Sequence, residues 1–240
     1  MIGNDNSTEI QLRENWQNQI SKLLNEATSI KGQYEYNVGG KTLKIHPNVY
    51  SPKYFPESYW YAKNLSASVI QKDKKFLEVG LGSGIISLFV RDTGAQIFGV
   101  DINPDAVDIT KQNFRNNNQN GLFQISDIYN DLDQDLKFDY IFWNHPWQND
   151  KNSISKELRT EKTLDEGYVL LKRYVAQARS RLTPTGRLLL GTCSHAGSID
   201  KIYEIARDNK FQIEILVQGN ESIGENVQEI YYILQFNPIN

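Results

Sequence analysis

The sequence predicts an α/β fold: a doubly wound, mostly parallel sheet with helices on both faces and an antiparallel hairpin at one edge. Three observations carry that prediction. From Tyr59 onward, short apolar runs alternate with stretches of helical period, the first strand falling at 75–79. The first of these runs ends in a cluster of glycines and continues as a helix, the setting in which a backbone can approach a ligand closely. The last two β-like runs have no long helix between them, which makes them antiparallel neighbours.

The 240 residues suffice for one domain with a sizeable core, and 39% hydrophobic with 23% charged residues is the composition of a globule rather than of a disordered or fibrous chain. An N-terminal helix and β-hairpin extension (residues 1–58) is expected to precede the main domain (residues 59–240). No apolar run reaches the roughly 18 residues of a membrane helix, and the N-terminus is too polar for a secretory signal. No membrane association is expected, and the cytoplasm is the expected location. The single cysteine, Cys193, excludes an intramolecular disulfide, and no Cys/His cluster has zinc spacing, so no metal is expected. A net charge of −3 lacks the electrostatic footprint of a dedicated nucleic-acid binder.

In chain order, Leu12, Trp16, Ile20, Leu23, Ala27 and Ile30 recur every three or four residues, one apolar stripe of a helix over 8–30 that reads as a packing face. Residues 33–45 alternate around Gly39-Gly40 as a β-hairpin. Pro47, Pro52 and Pro56 then punctuate an irregular segment rich in Tyr and Phe, where Tyr54, Phe55, Tyr59 and Trp60 either line a pocket or simply pack. The α/β alternation gives a strand over 75–79, a helix over 85–93, a strand over 96–100 and a helix over 104–117 with Asn103 as its N-cap and Pro104 at its first position. Strands follow at 122–126, 138–143 and 186–192, with a long helix over 164–182 before the last. A helix over 199–209 leads to the closing strands at 211–218 and 230–236.

The loop after the first core strand reads Glu78-Val79-Gly80-Leu81-Gly82-Ser83-Gly84. A dinucleotide fingerprint needs a third glycine five residues after the first, where Ile85 or Ser87 stands instead, and a phosphate-cradling loop needs a terminal Gly-Lys-Ser/Thr that is absent. An acidic residue followed by Gly-x-Gly-x-Gly resembles the first motif of class I S-adenosylmethionine-dependent methyltransferases, which have a Rossmann-like fold. The resemblance continues at Asp101-Ile102 after the second strand and at Asp127-Ile128 after the third. It implies S-adenosyl-L-methionine as cofactor. Gly80, Gly82 and Gly84 would face its methionine part, with Glu78 holding the loop or the sulfonium end. Asp101 would accept from the ribose hydroxyls and Asp127 from the adenine amino group, while Ile102 and Ile128 sandwich the ring.

The fourth strand runs into Asn144-His145-Pro146-Trp147, which resembles the Asn-Pro-Pro-Tyr motif of methyltransferases acting on planar nitrogen: the release-factor glutamine, adenine-N6 and guanine-N2 ribosomal RNA enzymes. A planar nitrogen has a delocalised lone pair and is a poor nucleophile. The Asn144 side-chain oxygen and the His145 backbone carbonyl would accept its two N–H bonds as charge develops, and Trp147 would stack on the flat group. His145 replaces a proline of the motif and leaves three roles open: backbone acceptor, hydrogen-bonding partner of the substrate, or general base. Cys193 and His195, two apart after a strand, form a weak candidate nucleophilic pair. The resemblance is specific over about 75–236. Before that, Pro52-Lys53-Tyr54-Phe55-Pro56-Glu57-Ser58 resembles only a variant of the segment that precedes the core in the glutamine enzymes. The expected partner is a substrate with a planar nitrogen, a protein side chain or small molecule before a nucleic-acid base. A cofactor-binding module without catalysis and a nicotinamide-dependent oxidoreductase are the rival readings.

Overall fold

Strands that are apolar along their whole length need cover on both faces, and here helices supply it. In the computed structural model, which describes residues 6–154, 156, 159–223 and 227–239, the chain opens with α1 (Asn6–Ser29) and a hairpin of β1 (Tyr34–Val38) and β2 (Lys41–Ile45). Trp16, Ile20 and Leu24 form the buried stripe of α1, with Leu23 and Ala27 packed beside it. The side chain of Leu12 lies outside the described residues, and Ile30 follows the helix end.

The prolines from 47 to 56 give the expected irregular stretch, but it ends in a helix absent from the sequence reading: α2 (Glu57–Asn64), continued by a π-type turn at Leu65–Val69. Pro56 precedes its first turn, where a missing N–H costs nothing. Aromatic crowding concealed the helix. Phe55 and Trp60 are core residues, and Tyr54 and Tyr59 pack against that core, so these four rings are packing.

The doubly wound unit then runs β3 (Lys75–Val79), α3 (Ile85–Val90), β4 (Gln96–Asp101), α4 (Pro104–Asn116), β5 (Leu122–Ile125) and β6 (Phe138–Asn144). Asn103 caps α4 by accepting from the Asp105 N–H at 3.0 Å, as its position predicts. The helix expected over 164–182 is shorter. α5 spans Val169–Ala178, because Gly167 and Tyr168 both adopt positive φ and Asp165 accepts from the Leu170 and Leu171 N–H groups, capping the helix from outside. Leu182 already belongs to a strand, β7 (Leu182–Cys193), pairing with Phe138 before a register shift. After α6 (Ile199–Asp208), β8 (Phe211–Ile223) and β9 (Val227–Pro238) form a hairpin longer than expected.

The sheet order is β5-β4-β3-β6-β7-β9-β8, parallel from β5 to β7, with β9 antiparallel to both its neighbours. One core layer combines α1, the hairpin and α2 with one face of the sheet, and the other lies under α5 and α6. A fully buried aliphatic side chain such as Leu77 or Ile141 contributes about 1.5–3 kcal/mol relative to exposure. The order reverses between β3 and β6. Ligands bind in such sheets where neighbouring connections leave in opposite directions from the strand C-termini. No described helix is long and apolar enough to cross a membrane, and no described cluster of His, Cys, Asp or Glu could hold a metal ion.

Candidate active site

At that switch point a cavity of about 960 Å³ opens over the ends of β3, β4 and β6. Every residue singled out for cofactor or substrate lines it except Gly84. Gly80, Gly82 and Gly84 all have positive φ, and an added Cβ at Gly84 would strike Thr110 at 2.6 Å. Gly84 therefore closes the loop onto α4 rather than facing a ligand. At Gly82 such an atom would meet nothing within 4 Å, so this glycine faces open space.

Two carboxylates hold the loop from below. Asp101 accepts from the Gly82 N–H at 3.0 Å and from the Asn103 N–H at 2.9 Å, and these donors oppose the burial that raises its pKa. Glu78 accepts from both the backbone N–H (2.9 Å) and the hydroxyl of Ser87, tying the end of β3 to the first turn of α3. Burial still pushes the Glu78 pKa up to about 8, the Ser87 hydrogen bonds opposing it only in part. Ser87 is a partner that sequence inspection did not single out.

On the far rim, Ile102 is 66% exposed while Ile128 is buried. Ile128 sits at φ +57, a strained conformation for a β-branched residue that costs on the order of 1–3 kcal/mol. Asp127 is paired with Arg173 at 2.8 Å through Oδ2, a partner the sequence reading did not foresee.

At the other end of the cavity, Asn144 closes β6 and its Oδ1 accepts from the Trp147 indole N–H at 3.1 Å. Trp147 thus orients the acceptor oxygen, and its ring tilts against Tyr231 at 5.9 Å. An amide oxygen has two lone pairs, so Asn144 keeps one for another donor. The loop is pinned from behind by Tyr168, whose hydroxyl donates to the Trp147 carbonyl at 2.6 Å and accepts from the Ser198 N–H at 3.0 Å. Tyr168 sits in a stretch that reads as helix, which hid its role.

The His145 ring is 3% exposed, wedged between Trp143 and Tyr168, and neither nitrogen has a hydrogen-bond partner. Burial lowers its pKa to about 3. So weak a base is unfit for proton abstraction near neutrality. Cys193 is fully buried, and burial and the nearby Glu229 raise its pKa well above the usual thiol range. His195 hydrogen-bonds Ser194 and Glu229 instead, so the pair makes no activated nucleophile.

The acceptor end draws further walls from segments that sequence reading took for packing or loop: Trp16 and Ile20 of α1, Tyr50, Glu57, Gln148 and the strap over 159–163. Gln148 is held by two backbone bonds, its N–H donating to the Thr163 carbonyl and its carbonyl accepting from the Asp165 N–H.

The methyltransferase small-domain family model matches residues 40–214. A Methanocaldococcus jannaschii protein named as a protein N5-glutamine methyltransferase is 42% identical over 111 residues, 46% of this chain and 53% of that one. The release factor glutamine methyltransferase of Fusobacterium nucleatum is 27% identical over 182 residues, 66% of this chain and 51% of that one. The chain spans about half the length of the curated relatives it matches. Among solved structures, the 16S rRNA N2 G1207 methyltransferase of T. thermophilus, in complex with AdoMet and guanosine, superposes with a TM-score of 0.57 at 16% identity, over 86% of this chain and 50% of that one. The ribosomal protein L11 methylase of Lactobacillus delbrueckii gives 0.54 at 18% identity, over 80% and 84%.

Proposed function

The chain belongs to the methyltransferase small-domain family, and we propose that it is an S-adenosyl-L-methionine-dependent enzyme transferring methyl to a planar nitrogen, an amide or aromatic amine. The observation that carries this reading is the Asn144 carboxamide, fixed by Trp147 at the end of β6 in the same cavity as the glycine loop. The residues fit the cofactor. Open space over Gly82, the Asp101 carboxylate beneath the loop and the exposed Ile102 at the rim suit an amino-acid chain, a ribose and a flat base in turn.

When bound, the cofactor supplies an electrophilic sulfonium methyl. This chain's residues do the rest by placement, since well-oriented reactants account for about 7–11 kcal/mol of such a barrier. Asn144 Oδ1 and the His145 backbone carbonyl accept the two N–H bonds of the acceptor, favour pyramidalisation and turn the lone pair toward the methyl. Trp147 holds Asn144 in that orientation. The neutral His145 ring fills the wall behind it, and the proton released after transfer leaves to solvent. Names of relatives on both the protein-glutamine and ribosomal RNA side are consistent with planar nitrogen as the common element.

The test is transfer of isotope-labelled methyl from S-adenosylmethionine into a cell extract, with the modified atom identified by mass spectrometry. N-methyl product made by wild type and reduced on the order of 100-fold or more in Asn144→Ala supports the assignment. Label on oxygen, carbon or sulfur, or label indifferent to Asn144, contradicts it.

A further inference from the structure

Two acids at the cofactor end are held in different ways. Asp101 is oriented by the backbone, through the Gly82 and Asn103 N–H groups. The Asp127 carboxylate has no such support among the described residues: both of its contacts fall on Oδ2, one from the Arg173 guanidinium at 2.8 Å and a longer one from the Asn130 side-chain amide at 3.4 Å. It is also 37% exposed, on the loop after β5, the edge strand of the sheet. A carboxylate so placed samples several rotamers unless a group outside its loop holds it.

Arg173 is fixed where it stands. It lies on α5 three residues beyond Leu170, which lines the cavity, so the two share a side of the helix while Arg173 itself stays outside the cavity wall. The start of α5 is tied to the loop after β6. Asp165 accepts from the Leu170 and Leu171 N–H groups and donates its own N–H to the Gln148 carbonyl, and Tyr168 donates to the Trp147 carbonyl. An ion pair whose members are both about a third exposed adds little to folding stability, because water screens it and ordering the side chains costs entropy. What the pair does fix is the direction of the Asp127 carboxylate.

Resting on the S-adenosylmethionine reading above, we infer that Arg173 is a positioning residue for cofactor recognition: it occupies Oδ2 of Asp127 and so presents Oδ1 to the exocyclic amino group of the adenine. A carboxylate carries lone pairs on both oxygens, so the protein can hold one while the ligand takes the other. Arg173 acts through Asp127 and does not touch the base. Its consequence is selectivity between purines. An amino group at the 6-position donates to the carboxylate, whereas an oxo group there confronts it with lone pairs.

The test is calorimetric titration of S-adenosylhomocysteine, and of S-inosylhomocysteine with its 6-oxo group, into wild type, Arg173→Met, Asp127→Ala and the double variant. Wild type is expected to bind the adenosyl compound at least about tenfold more tightly, since a charged hydrogen bond is lost on exchange. Asp127→Ala is expected to abolish that preference, and Arg173→Met to cut it to about threefold or less. In the double variant, removing Arg173 is expected to cost nothing beyond Asp127→Ala for either compound, because the two residues act as one unit. Both compounds report on the same folded fraction, so a destabilised variant leaves their ratio unaltered. If Arg173→Met does not fold, Arg173→Lys takes its place: an ammonium lacks the planar fork of a guanidinium, and the preference is expected to fall at least about twofold. No preference in wild type, a wild-type preference kept in the Arg173 variant, an equal loss for both compounds, or a further loss on removing Arg173 from Asp127→Ala overturns the inference and leaves the cofactor reading standing. Failure of wild type to bind S-adenosylhomocysteine overturns both.

Discussion

The two ends of one cavity are built on opposite principles. At the cofactor end the carboxylates are already engaged by the fold: Asp101 by the Gly82 and Asn103 N–H groups, Glu78 by Ser87, Asp127 by Arg173. Among the other residues that line the cavity, Trp16 Nε1, Glu57 Oε1, Gln148 Nε2 and both ring nitrogens of His145 are buried without a partner, while Asn144 is oriented by Trp147. The difference separates groups that the fold already binds from groups that it leaves unpaired; a carboxylate oxygen has more than one lone pair, so Asp101 can hold the loop and still accept from a ribose.

Substitutions can break this division. The largest expected effect on cofactor binding comes from Asp101→Ala, which removes both the ribose acceptor and the strut under Gly82. S-adenosylhomocysteine affinity should fall by on the order of 100-fold, the sum of about two charged hydrogen bonds, as read by calorimetry. Next is Trp147→Phe, which keeps the ring and removes the N–H that orients Asn144. Turnover should drop by roughly tenfold with cofactor affinity unchanged, which single-turnover kinetics beside a binding titration would separate.

A smaller effect concerns pH. The folded-state pKa of Glu57 is raised to about 7 from an ordinary 4.5, so its contribution to stability is fully present below the unfolded value and lost as pH rises through about 7. Glu57→Gln has no charge to bury. Its melting temperature should therefore gain on wild type between pH 5 and pH 8, by a few degrees for about 1–2 kcal/mol. His145 works in the opposite direction at acid pH. Its pKa is lowered to about 3, so stability is lost as pH falls from 6.5 toward 3, and His145→Asn should flatten that acid limb in a thermal-melt series.

Much of this architecture is legible because its signals are local. The strand over 75–79 matches β3, the helix over 104–117 is α4 with the expected Asn103 cap, and glycines at a strand end announce the cavity. What escaped was decided by backbone conformation or by distance in sequence. Positive φ at Gly167 and Tyr168 ended a helix that periodicity would extend, and the prolines and aromatics around α2 masked its turn. Likewise, Glu57, Trp16 and Gln148 look like a polar loop residue and packing residues until the topology gathers them around one cavity. Of the three roles that sequence leaves open for His145, burial removes the general base, because it leaves the ring too weak.

The division of the cavity is tested most directly by titrating S-adenosylhomocysteine into four proteins: wild type, Asp101→Ala, Asn144→Ala and Glu57→Gln. A large loss of affinity in Asp101→Ala alone, with the other two within about twofold of wild type, is the predicted result. Comparable losses in Asn144→Ala or Glu57→Gln would show that the acceptor end also holds the cofactor, and would contradict the account.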